Sequence, residues 1–363
     1  MRKLLVAALV IAMTVSVVGC GTAGTKEDAK ETAGDKVESQ QDDGNDESAT
    51  ADTAYPERNI NMTIPFGAGG GTDVWARIMA QYMGEELGVQ IIANNITGGS
   101  AGSTGVDSVW KAPHDGYSLA GTSETPLTIP VMTPLEQTTE DWEYFIAAGS
   151  PGLLCVRKDA GYDSLQAIVD QLKSEPESIS IAGTSGGLWF ALAQLFGTYG
   201  ETPFQWVSYP GSADAIKATH AGETDTVVAS AGEVKSYVES GDFIPVAVMG
   251  KESWEFPGIG EIPAVVDVIP ALEAYLPLNQ VLGFKIPADT DPAIIAKLDD
   301  AFHKAMANPA VKEAGDEQLC VLYDLSGTEA KEMMVGIEKS LCWILFDMGQ
   351  TTFSPEERGI ERP

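Results

Sequence analysis

Four glycines crowd a single turn of this chain, in Pro65-Phe66-Gly67-Ala68-Gly69-Gly70-Gly71-Thr72-Asp73. The turn follows Ile60–Ile64, which reads as a strand, and precedes Val74–Leu87, which reads as an amphipathic helix. Glycines at a strand-to-helix turn let the backbone approach something outside the sheet. Thr72 or Asp73 is placed to cap the helix, so its first N–H groups and the positive end of its dipole point into the turn. That is an anion-site geometry, although a plain tight turn needing positive φ uses the same residues. Nucleotide fingerprints do not fit: a dinucleotide turn needs glycine where Thr72 stands, and a P-loop needs lysine where Gly71 stands.

The ends read differently from the body. Arg2 and Lys3 followed by the apolar run Leu4–Val18 read as a signal peptide over residues 1–20, and Val17-Val18-Gly19-Cys20 resembles a lipobox whose Cys20 is lipidated. Residues 21–55 hold ten acids against three lysines and almost no branched apolar residue, the composition of a disordered acidic tether. An acidic interaction tail is the rival reading.

A formal charge of −31 makes nucleic acid and anionic membrane surfaces poor partners. Three histidines far apart give no metal spacing, so neither a metal nor another cofactor is expected. Beyond Cys20, three cysteines remain. A Cys320–Cys342 disulfide is one reading in an exported protein, and buried free thiols are the other.

From residue 60 onward strands and helices alternate. Strands are expected at Ile60–Ile64, Gln90–Asn94, Ser118–Thr122, Gly152–Val156, Ser178–Ala182, Phe204–Val207, Asp225–Ala229, Ile244–Met249 and Val281–Lys285. Helices are expected at Val74–Leu87, Gly102–Trp110, Ser164–Lys173, Leu188–Tyr199, Ala213–Ala221, Gly232–Ser240, Pro292–Ala307 and Thr328–Met348. This is α/β patterning with mostly parallel sheets flanked by helices. The segments starting at Gly152 and Val281 repeat one plan, a strand leaving into a polar turn before a helix. They place chain crossings near 153 and 281, with lobe one at 56–153 plus 282–363 and lobe two at 154–281. A second small-residue turn, Gly183-Thr184-Ser185-Gly186-Gly187, precedes the helix at Leu188 and mirrors the first. Ligands of open α/β sheets bind outside the carboxyl ends of strands, so the two turns are expected to face each other across a cleft.

Several motifs, in order over about residues 59–350, resemble those of the substrate-binding receptors of tripartite tricarboxylate transporters, the Bug-type solute receptors. The first turn resembles the family's P-F-x-P-G-G-x-x-D. Gly98-Gly99-Ser100-Ala101-Gly102, Asp115-Gly116-Tyr117-Ser118-Leu119, Gly183–Gly187, Tyr209-Pro210-Gly211, Asp225–Ser230 and Phe284–Asp291 resemble later family segments. The resemblance implies a two-lobed periplasmic-binding-protein fold of the second type that closes on a small carboxylate. It also implies permease subunits as partners and an extracytoplasmic location, with the lipobox adding a membrane anchor. It implicates Phe66, Gly67, Ala68, Gly70, Gly71, Thr72, Asp73 and Ser123 in lobe one, with Asp73 expected to orient the loop. In lobe two it implicates Thr184, Ser185, Gly186 and Gly187, with Tyr209, Gly211 and Ser230 behind them. The sequence departs from the family pattern at Ala68 (usually Pro), at Pro210 (usually Lys) and at Trp189-Phe190, where a histidine is common. If those aromatics face the cleft the ligand is more apolar; otherwise they pack at a helix start. A monomer is the default expectation. A sensing or adhesive surface module and an exported α/β hydrolase, with Ser123, Ser185 or Ser230 as nucleophile, are the alternatives.

Overall fold

The computed structural model describes residues 54–363. The signal-peptide, Cys20 and nearly all of the tether assignments lie outside them.

Along the chain run β1 (Ile60–Ile64), α1 (Gly71–Leu87), β2 (Ile91–Asn95), α2 (Ser103–Trp110), β3 (Ser118–Ser123), α3 (Ile129–Met132) and β4 (Trp142–Gly149). After Ser150-Pro151 come β5 (Gly152–Arg157), α4 (Leu165–Ser174), β6 (Ser180–Thr184), α5 (Leu188–Gly200), β7 (Gln205–Tyr209), α6 (Ser212–His220), β8 (Thr226–Ser230), α7 (Ala231–Glu239) and β9 (Phe243–Val248). A small hairpin, β10 (Trp254–Phe256) and β11 (Gly260–Ile262), precedes the return through β12 (Leu282–Pro287), α8 (Pro292–Ala307), α9 (Pro309–Glu317), β13 (Val321–Leu325) and α10 (Gly327–Asp347).

Apart from the hairpin, the strands make two sheets, ordered β13-β4-β12-β3-β1-β2 and β7-β6-β8-β5-β9. Both are mixed: most strands of each sheet run one way, and β12 and β13 in the first and β5 in the second oppose them. β1 pairs parallel with β2 and β3, and β6 with β7 and β8, whereas β12, β4, β13, β5 and β9 make antiparallel pairs. The cause is the double crossing. A strand entering from the other lobe starts at the cleft and runs away from it, so β5 and β12 oppose the strands that run toward it.

Among the elements that the sequence patterning does not anticipate are β4, β13 and α9. β4 is separated from β5 by two residues, so Trp142–Arg157 looks like one apolar run. β13 is a short edge strand with Val321 62% exposed, and its pattern carries no buried stripe.

Helix α1 buries Trp75, Ala76, Met79, Ala80 and Met83 on one face, and stops at Gly88, whose φ of 71° suits glycine. That face joins Ile60, Met62, Phe145, Phe284 and Phe302 in the first core. Phe145 and Phe284 stack at 4.5 Å between β4 and β12. The second core gathers β5, β6 and β8 with α4 and the nearly all-apolar α5, and takes in Leu341 and Leu345 from α10. Helix α10 therefore packs on both lobes, and the carboxyl ends of β1, β3, β6, β7 and β8 converge between them.

Candidate functional site

Between the lobes lies a small, partly open cavity of ≈ 30 Å³, bordered by the two glycine-rich turns. That is room for about two waters. The lobes already touch: a Cβ on Gly187 would lie 2.7 Å from Thr125 Cβ, and one on Gly211 would lie 3.3 Å from the Gly67 amide nitrogen.

From lobe one, α1 begins at Gly71 with Gly70 as its N-cap, three residues earlier than expected, and no side chain caps it. Asp73 instead clamps the loop. Its Oδ2 accepts from the Gly69 amide at 2.9 Å, and its Oδ1 accepts from Arg77 Nε at 3.0 Å and Asn95 Nδ2 at 2.8 Å. Burial resists ionisation of this carboxyl, but those hydrogen bonds and the Arg77 charge outweigh it and hold the pKa below the usual range. The amides of Thr72 and Asp73, in the first turn of α1, have no acceptor among the described residues. Phe66, Gly67, Gly70, Gly71, Thr72 and Ser123 line the cavity. Ala68 is exposed outside it.

From lobe two, Thr184 and Gly211 line the cavity, and so does Trp189. Trp189 also covers Gly152, whereas Phe190 turns into the core and meets Trp206 edge-on at 5.2 Å. Ser185 and Tyr209 line a separate outer groove of ≈ 280 Å³ with Gly98–Gly102. Ser185 Oγ donates to Ser208 Oγ at 2.7 Å and accepts from Trp206 Nε1 at 3.1 Å, so its hydroxyl is occupied. The Tyr209 hydroxyl donates to Glu223 Oε2 at 3.3 Å. Gly186 adopts φ +81°, and its carbonyl accepts from Thr128 Oγ1 of lobe one. Ser230 caps α7 and donates through Oγ to Glu233 Oε2 at 2.6 Å.

Four polar residues that no sequence motif singles out complete the site: Glu124, Ser212, Glu233 and Gln280. Glu124, 1% exposed, accepts from the Val281 amide at 3.0 Å and from Thr125 Oγ1 at 3.3 Å. Burial pushes its pKa up to about 7 against the pull of these bonds, and the nearby Glu233 charge adds to the rise. Glu233 reaches across from α7: its Oε1 accepts from the Gly71 amide at 2.8 Å and from Ser212 Oγ. Gln280 is 4% exposed and lines the cavity, and its Oε1 has no partner among the described residues. No lining residue of the cavity is basic.

The cysteines are free thiols: Cys155 and Cys342 are buried and Cys320 is half-buried. The Cys320–Cys342 disulfide is not formed. Burial raises all three pKa values, that of Cys320 to about 11, which leaves the thiols unreactive. Among the described residues no helix is long and apolar enough to cross a membrane.

The model of the tripartite tricarboxylate transporter family receptors matches residues 75–331, beginning just after the first glycine-rich turn. Protein BugT of Bordetella pertussis is 28% identical over 272 residues, covering 73% of this chain and 81% of BugT. Among solved structures, the periplasmic binding protein BugD superposes with a TM-score of 0.72 at 21% identity, covering 85% of this chain and all of BugD. The R. palustris protein Rpa4515, solved with adipate, gives a TM-score of 0.72 at 21% identity, covering 81% of this chain and 98% of that one. These two likenesses establish the fold.

Proposed function

The chain belongs to the tripartite tricarboxylate transporter family of receptors, and from that premise we propose that its cleft captures a small organic acid and delivers it to a membrane transporter of that type. As a receptor of this family it is an extracytoplasmic solute-binding protein and not an enzyme. The observation that carries the ligand class is the pair of unmet amides at the start of α1, Thr72 and Asp73, beside a cavity lined by the hydroxyls of Thr72, Ser123, Thr125 and Thr184. Oriented N–H groups at a helix start hold a carboxylate without a cation. A structural relative solved with adipate supports the same class.

In this reading Phe66, Gly67, Gly70, Gly71, Thr72, Ser123, Thr184 and Gly211 contact the ligand. Ser185, Tyr209 and Ser230 act behind them, and Asp73, Gly186 and Gly187 shape the turns. Residues 56–153 plus 282–363 move as one lobe and 154–281 as the other. Sheet membership supports the division to within two residues at the first crossing, since β1–β4, β12 and β13 share one sheet and β5–β9, starting at Gly152, the other. The cavity of ≈ 30 Å³ has room for only about two waters, so a larger ligand enters by reopening about the crossings at Ser150-Pro151 and Gln280–Leu282. The receptor is held to the outer face of the cell membrane through Cys20, a reading supported by the lipobox-like Val17–Cys20 and the acidic tether, and a monomer is the default. A sensing or adhesive role without transport is the rival, and it shares the cleft.

Thermal melting of the full-length chain against mono-, di- and tricarboxylates, amino acids and neutral solutes tests the ligand class. A ligand at a hundredfold its Kd stabilises by about 2.7 kcal/mol, several degrees of Tm. Stabilisation by neutral solutes alone would sink the organic-acid assignment.

A further inference from the structure

Residues 125–132 of lobe one meet the second glycine-rich turn of lobe two. Thr128 Oγ1 donates to the Gly186 carbonyl, Thr125 packs against Gly187, and Met132 Cε lies 3.4 Å from the place a Cβ on Gly186 would take. This lip of the cleft is a single 3₁₀ turn followed by the four-residue α3. A helix so short has no stability of its own, so its position is set by what packs behind it.

Behind it runs the end of the chain. The Thr352 and Phe353 amides both donate to the Val131 carbonyl, at 2.9 and 3.0 Å, and Thr352 Oγ1 donates to the Met132 carbonyl at 3.4 Å. These are end-of-helix carbonyls that α3 cannot satisfy by itself. Ile360, 3% exposed, packs with Val131, Cys342 and Trp343. The same segment is pinned to α10. Trp343 Nε1 donates to the Ile360 carbonyl at 3.1 Å, and Arg362 lies 4.0 Å over the Trp343 ring while holding the Asp347 carboxylate by two bonds of 2.8 Å. Helix α10 in turn sends Leu341 and Leu345 into the second core. The end of the chain thus joins the helix that packs on both lobes to a lip that touches lobe two. None of residues 350–362 lines the cavity, and all of them lie beyond residue 331, where the family match ends.

We propose that residues 350–362 act as a strap: by fixing α3 against α10 they hold Thr125, Thr128 and Met132 where these meet Gly186 and Gly187, and so set how firmly the lobes close. Thr352, Phe353 and Ile360 are positioning residues, acting on the cleft through α3. The inference rests on the reading of this cleft as one that closes, and is independent of what the ligand is.

Hydrogen exchange of the unliganded full-length chain, read by mass spectrometry, tests the strap in the native protein and in Ile360→Asp, which places a charge in an apolar contact. Labelling of Cys342 by N-ethylmaleimide, mapped to its peptide, reports whether the strap has let go, because this buried thiol packs against Ile360. The expected result is a labelled Cys342 together with about tenfold faster exchange over residues 186–191 of lobe two, a segment the strap does not touch. Ile360→Val should keep both readouts near native. Ile360→Ala should move both in the same direction by less, and serves if Ile360→Asp does not fold. A labelled Cys342 with faster exchange confined to residues 125–133 and 342–363 overturns the proposal, since the strap would then act only on its own surroundings. An unlabelled Cys342 in both variants overturns it as well. No ligand is added, so either failure leaves the organic-acid reading standing, and a melting series without a carboxylate hit would sink that reading and leave this one.

Discussion

Glu233 of α7 accepts a hydrogen bond from the Gly71 amide at the start of α1, 2.8 Å across the cleft. A carboxylate belonging to lobe two thus occupies one of the first-turn amides of lobe one, in the position an anionic ligand group would seek. The contact ties the lobes together before any ligand arrives. A hydrogen bond to a charged group contributes about 1.5–3 kcal/mol, so losing it should shift the closed-to-open ratio on the order of 10- to 100-fold. Small-angle scattering of unliganded Glu233→Ala should give a larger radius of gyration than the native chain. An unchanged radius would show that other contacts hold the cleft shut.

Thr184 and Ser185 are neighbours with different fates. Thr184 lines the central cavity as well as the outer groove, while the Ser185 hydroxyl is bonded to Ser208 and Trp206 and reaches only the groove. Removing a ligand-facing hydroxyl typically loses about 1 kcal/mol. Thr184→Ala should therefore weaken binding of the best stabiliser about fivefold, and Ser185→Ala by less than twofold, in calorimetric titration. The reverse order would move the ligand to the outer groove.

Closure depends on glycine at 187. Its backbone passes so near Thr125 that a methyl would lie 2.7 Å from Thr125 Cβ, a separation real side chains do not tolerate. The φ of −122° suits alanine, so the open form bears no backbone strain. Gly187→Ala is expected to keep its unliganded Tm within about 2 °C, because little folded-state packing is lost. Its affinity for the best stabiliser should fall tenfold or more, and its radius of gyration should fail to contract with ligand. Normal contraction would show that the turn moves aside.

Glu124 makes stability depend on pH. Its carboxyl titrates at about 7 when folded, raised chiefly by burial, against 4.5 as an isolated group. The folded chain therefore holds this proton more tightly than the unfolded one. The stability it contributes is complete below pH 4.5 and is lost as pH rises to about 7, on the order of 3 kcal/mol. Between about pH 5 and pH 7.5 the Tm of unliganded protein should lose several degrees from this group, and Glu124→Gln should flatten that segment of the curve. Parallel curves for the two proteins would contradict the assignment.

Much of the ligand wall is legible in the amino-acid sequence. The first turn lies between a strand and a helix, and strand, glycines and helix each leave a local mark. The second turn repeats the plan, so Phe66, Gly67, Gly70, Gly71, Thr72 and Thr184 fall on a ligand wall by their place in the pattern. Glu124, Ser212, Glu233 and Gln280 leave no such mark. They stand on four segments that only the closed fold brings together, and no spacing links them. Glu233 is hidden further by its neighbour: Ser230-x-x-Glu233 is a capping box, and the box is formed, so the residue already has a local role that masks the contact to Gly71. The motif resemblance implicates Ser185 and Tyr209 because they belong to the right turns. Successive residues at a strand end face different ways, so Thr184 reaches the central cavity while Ser185 reaches only the outer groove that Thr184 also borders. Mixed sheets escape local patterning for a similar reason, since strand direction is set by where the chain crosses, and β4 and β5 are separated by only two residues.

Ligand capture turns on the amides at the start of α1. Transverse-relaxation-optimised amide spectra of the isotope-labelled chain, titrated with the best-stabilising acid, report on them directly. The predicted result is that the Thr72 and Asp73 resonances move most, together with Thr184 across the cleft, and saturate at the calorimetric Kd. Shifts confined to the outer groove around Gly98–Gly102 and Tyr209, with Thr72 and Asp73 unmoved, would contradict that role.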